Sequence, residues 1–130
     1  MQWCKDADSE LNAAEYIGSA TTVRMIQDTI CANQILEYSL WHNRAFEVVN
    51  ELKLEEMVVH YEDFTDSKLE ATLDAMVGFL ELSPKVKMPT QRIPKDPDNY
   101  FSTQERKDMK DLVKRLATEQ TWEHVQDYFD

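Results

Sequence analysis

The side chains able to do chemistry in this chain are few and scattered. Its histidines are His42, His60 and His124, and none stands at a ligand spacing from another His, from a Cys or from a paired carboxylate. A metal centre needs such spacings, because three or four donors must converge on one ion. His42 lies between Trp41 and Asn43 in a helical pattern and reads as a packed or surface residue rather than a base. Glu62 and Asp63 are adjacent carboxylates, but neighbours on an extended backbone point to opposite faces, so they are not a natural acid–base pair; Asp63 reads as a cap for the helix that follows. No Gly-x-Ser-x-Gly elbow occurs, and neither Cys4 nor Cys31 has an evident His partner. Tyr61 stands apart. It closes the apolar run Met57–Tyr61, at the end of a strand where open α/β sheets bind ligands. There it either packs or lays its ring and hydroxyl on a nucleotide.

Positioning Tyr61 requires the strand itself. Val58 and Val59 favour extended backbone, and a short unalternating apolar run suits a strand covered on both faces. It is the one clear strand in the chain, so its hydrogen-bond partners must come from elsewhere. Its unpaired edge predicts self-association.

The other elements read as helices. Thr22 is a candidate cap for a helical stretch running to Leu52, too long for a small domain without a break, placed before Tyr38. Trp41, Ala45, Val48 and Leu52 step by four, three and four, which predicts an inward stripe, and Trp41 and Phe46 read as core. A short helix is expected after Asp8-Ser9, ending near Gly18. Ser67 and Glu70 have capping-box spacing before Leu69, Leu73, Met76 and Leu80, a helix that Ser83-Pro84 stops. Ser102 and Glu105 repeat that spacing before Met109, Leu112, Val113 and Leu116, and a last helix carries Trp122, Val125 and Phe129. All four prolines fall between Pro84 and Pro97, with Lys85, Lys87, Arg92 and Lys95. That segment reads as a solvated loop or as an anion-binding lid.

Composition narrows the function classes. The chain has 130 residues, enough for one compact core, and a net charge of −11 excludes a broad nucleic-acid or anionic-membrane surface. No apolar stretch approaches the roughly 20 residues of a membrane span. Glycine occurs only at positions 18 and 78, which rules out a Gly-rich phosphate loop or dinucleotide fingerprint. Two cysteines without a CxxC pair suggest no disulfide framework, so a reducing, cytoplasmic setting is the default.

The stretch Met57-Val58-Val59-His60-Tyr61-Glu62-Asp63-Phe64, followed by Leu69, Leu73 and Phe79-Leu80-Glu81-Leu82, resembles the strand–Tyr-Glu-Asp–helix segment of sulfotransferases. Trp41-His42-Asn43-Arg44 is similar to the family's helix before that strand. The run from Tyr100-Phe101-Ser102 through Trp122 to Tyr128-Phe129 looks like its closing helices. The resemblance covers residues from about 30 to the end, the C-terminal half of such a domain. It implies an α/β fold with a parallel, P-loop-type sheet, to which this chain adds mostly helix and one strand over 57–61. It also implies sulfuryl transfer from PAPS to a hydroxyl- or amine-bearing acceptor, with Tyr61 against the nucleotide. Gln91-Arg92-Ile93-Pro94-Lys95 is a loose analogue of the family's C-terminal nucleotide contact, which makes Arg92 a second candidate. Members occur in cytosol and in the Golgi lumen. The phosphate loop and its catalytic Lys have no counterpart, so the chain alone is expected to be inactive. The other reading is an acidic helical interaction module without enzymatic activity.

Overall fold

A computed structural model of the chain describes residues 19–65, 67–82 and 100–129. Every regular element among them is helical: α1 (Ala20–Asp28), α2 (Ala32–Leu52), α3 (Leu69–Phe79), α4 (Thr103–Leu116) and α5 (Glu119–Val125), with 3-10 turns at Tyr61–Phe64 and Gln126–Phe129. The expected α/β class is therefore corrected to a helical fold. The predicted strand over Met57–Tyr61 is absent: Leu54–His60 has no regular structure, and Tyr61 begins a 3-10 turn. An isolated extended run has no neighbour to accept its N–H groups, so strand-like composition alone does not make a strand. Self-association through a strand edge loses its basis with it.

The chain divides into two compact units, residues 1–53 with 98–130, and residues 54–97. In the first, α2 packs against α4 and α5, and α1 against α4. Its core is Ile26, Ala32, Ile35, Leu112, Val113 and Val125, with Val23, Met109, Leu116, Trp122 and Phe129 packed around them. The inward residues of α4 are those its spacing predicts. Helix α4 opens on the expected capping box, in which Ser102 Oγ accepts from Glu105 N–H at 3.2 Å and Glu105 Oε2 accepts from Ser102 N–H at 2.7 Å. Thr118 caps α5 by accepting from Thr121 N–H at 3.2 Å.

The break between α1 and α2 falls at Thr29–Cys31, earlier than the placement before Tyr38. Thr29 Oγ1 donates to Met25 O at 2.7 Å, and Cys31 turns left-handed at φ 58°. A residue with Cβ enters that region at a cost of roughly 1–2 kcal/mol, so Cys31 reverses the chain sharply. Cys31 is disulfide-bonded, against the expectation that the cysteines serve no disulfide. Ser19, not Thr22, is the N-cap of α1. Thr22 is buried, and its hydroxyl accepts from Arg115 Nε at 3.1 Å.

In the second unit, α3 has no buried residue. It starts at Lys68 rather than at a Ser67–Glu70 box, its first N–H groups bonding to Thr65 O. It ends before Ser83-Pro84 in a Schellman arrangement: Leu82 N–H bonds to Val77 O, Glu81 N–H bonds to Gly78 O, and Glu81 sits at φ 53°. The expected helix before Gly18 and the proline-rich segment lie outside the described residues, apart from Tyr100 and Phe101 at its end.

Candidate functional site

Tyr61 lies at the start of the 3-10 turn and is 48% exposed. It is not at a strand tip, and the residues following it are Glu62 and Asp63. Asp63 is fully engaged in local structure. Its carboxylate accepts from His60 N–H at 3.0 Å and from Lys68 Nζ at 3.2 Å, and Thr72 Oγ1 donates to its carbonyl at 2.9 Å. The His60 amide, with Lys68 second, holds the Asp63 carboxyl below the usual carboxylate range. Asp63 thus braces the turn against α3, a structural use in keeping with its reading as a cap, although the N-cap itself is Lys68. Arg92 lies outside the described residues.

The histidines do not converge. His42 Nδ1 sits 2.8 Å from Tyr38 O on its own helix, and the His124 ring stacks on Phe46 with centroids 5.0 Å apart. Among the described residues no three His, Cys, Asp or Glu side chains are grouped to hold a metal ion.

Among the described residues, Asn43 makes a polar contact of specific geometry. Its Nδ2 donates to Leu116 O and its Oδ1 accepts from Thr118 N–H, both at 2.8 Å. One amide therefore satisfies a terminal carbonyl of α4 and the N–H of the α5 cap residue, locking the α4–α5 corner onto α2. Two helical turns further on, Asn50 Nδ2 donates to Gln120 Oε1 at 2.9 Å. Sequence reading assigned Asn43 only to a motif of resemblance; its spacing from Ser39, Phe46 and Asn50 was the signal that could have found it.

That spacing resets which face of α2 is inside. Ile35, Leu36, Ser39 and Phe46 are buried, and Asn43 and Asn50 continue the same face in steps of three and four. The stripe predicted to point inward lies opposite. Trp41 is 67% exposed and Leu52 64% exposed, with Ala45 and Val48 partly exposed between them. The expectation that Phe46 is core holds in the structure, and the same expectation for Trp41 does not. Helix α2 is thus apolar on two sides, with only one of them fully covered.

Two grooves border this unit. An apolar groove of about 370 Å³ runs past Ile35, Tyr38, Met109, Val113 and Phe129. Gln34 Oε1 lies buried there without a protein donor, and burial pushes the Tyr38 hydroxyl up. A polar groove of about 440 Å³ lies beside Asn43, Glu47, Glu119 and Glu123.

No helix of the described residues is long and apolar enough to cross a membrane. No family profile, curated protein or solved structure matches the chain.

Proposed function

We propose that this chain is an acidic helical protein-interaction module that binds through the outer face of α2. The observation that carries the reading is the exposure of Trp41 and Leu52 on a helix whose opposite face is anchored by Asn43, Phe46 and Asn50. A large exposed aromatic on a rigid element has the character of an interface anchor, since it buries much apolar area while losing little conformational freedom. A second apolar face is also more than a helix needs to join a core.

The test is binding of an apolar fluorescent dye by the folded chain, compared with a Trp41→Glu/Leu52→Glu variant. The variant is expected to lose a clear share of the dye signal at an unchanged melting temperature. Equal dye binding in both proteins would remove the outer face of α2 as the binding surface.

The competing proposal is the sulfotransferase one, with PAPS as co-substrate and a hydroxyl or amine acceptor. It rests on the motif residues alone, since Tyr61 occupies a turn and no sheet is present among the described residues. Titration with the desulfated nucleotide PAP tests it. Saturable binding would restore it, and none at millimolar concentration would eliminate it.

A further inference from the structure

Resting on that reading, we infer that the partner of the α2 outer face is a second copy of this chain, packed antiparallel through Trp41, Ala45, Val48 and Leu52. The spacing of these positions, four, three and four, is the a/d spacing of a helix–helix seam. It is also palindromic. A two-fold axis between Phe46 and Glu47 sets Trp41 against Leu52 of the second copy and Ala45 against its Val48. The smaller pair then lies at the centre, where the helices approach most closely, and the larger pair closes both ends.

Charge selects the direction. Arg44 and Glu51 flank the stripe on the same side, both well exposed. In the antiparallel arrangement Arg44 of each copy faces Glu51 of the other, giving two symmetric ion pairs at the rim. Arg44 pairs with Glu47 and lies 4.0 Å from Glu51 of its own helix, so its exposed guanidinium sits where the second copy's Glu51 can join as a further carboxylate. A parallel seam would stack Trp41 on Trp41 and set Arg44 beside Val49, with no opposite charge to meet it.

The seam is short. From Trp41 to Leu52 it runs roughly 17 Å at about 1.5 Å per residue, and four apolar layers bury less than the ~800 Å² per partner of a standard interface. The dimer is accordingly weak and concentration-dependent. At 0.15 M salt the Debye length is about 8 Å, which damps repulsion between two chains of charge −11 while sparing contacts in the seam.

Sedimentation equilibrium of the full chain across a wide concentration range at that salt tests the inference. The apparent mass is expected to rise toward twice that of one chain. Leu52→Glu should weaken association by about tenfold or more, as expected for losing a buried leucine. Arg44→Glu and Glu51→Arg should each weaken it several-fold, and the Arg44→Glu/Glu51→Arg double variant should regain most of the loss. A chain that stays monomeric throughout, or a dimer indifferent to these substitutions, overturns the second-copy inference. In the monomeric case the melting temperature of Trp41→Ser/Leu52→Ser separates the two failures. If it is unchanged, the face is free and only the identity of the occupant is wrong. A drop of several degrees would mean that the stripe is covered within the chain's own fold, and the interaction reading falls as well.

Discussion

The α2–α4–α5 unit and the 54–97 unit contrast in what their apolar residues accomplish. In the first, Leu112 is 0% and Leu36 1% exposed, and a polar face of α2 is drawn into the core by paired hydrogen bonds. In the second, α3 contains Leu69, Leu73, Met76, Val77 and Phe79 yet buries none of them, and no described residue of 54–82 is buried. Apolar composition is therefore a poor guide to burial in this chain. Among the described residues, the first unit has a second and third helix to close over α2, and residues 54–82 have only α3 and one 3-10 turn.

The largest expected effect tests whether stability resides in the first unit. Leu112→Ala should lower unfolding free energy by about 3 kcal/mol, within the range for a buried leucine, whereas Leu73→Ala should cost well under that. Chemical denaturation followed by circular dichroism measures both, and equal losses would erase the contrast. Next, Asn43→Ala should cost about 1 kcal/mol, because it leaves the half-buried Leu116 O without its donor while the exposed Thr118 N–H turns to water. If that value falls near zero, the α4–α5 corner is not held by the amide. Ser39 tests the same face with the opposite sign. It is fully buried and its hydroxyl has no protein partner, so Ser39→Ala should be neutral or stabilising by up to about 1 kcal/mol.

Two smaller effects belong to the second unit. Glu81 sits at φ 53° in the Schellman end of α3, and Glu81→Gly should stabilise that helix by about 1 kcal/mol, read as slower amide exchange in α3. Asp63 gives a pH signature. Its carboxyl is lowered by His60 N–H and Lys68, so its contribution is present above the ordinary carboxylate pKa and is lost as pH falls through the depressed one. Amide exchange in the 61–79 region should accelerate on acidification, and Asp63→Asn should remove that dependence.

Parts of this architecture are legible in the sequence because they are local. Ser102 and Glu105 stand three residues apart, the spacing at which each side chain reaches the other's backbone N–H. The inward stripe of α4 is equally plain, since its one apolar face is set against charged residues. Helix α2 was misread for the reverse reason. It carries an apolar stripe on each side, and the covered one is interrupted by Ser39, Asn43 and Asn50, so hydropathy favours the face that remains open. The strand before Tyr61 was misread at a further remove, because a strand is a pairing between segments and a single segment encodes no partner.

The sequence by itself determined the helical stretches, the cap of α4 and the acidic composition, all set by contacts within about four residues or by composition. Only the tertiary structure decided which side of α2 is inside, that Asn43 bonds to residues more than seventy positions away, and that Met57–Tyr61 is not a strand. Those outcomes turn on which groups find a partner across space, and the free energy of such pairings is not written in either segment alone.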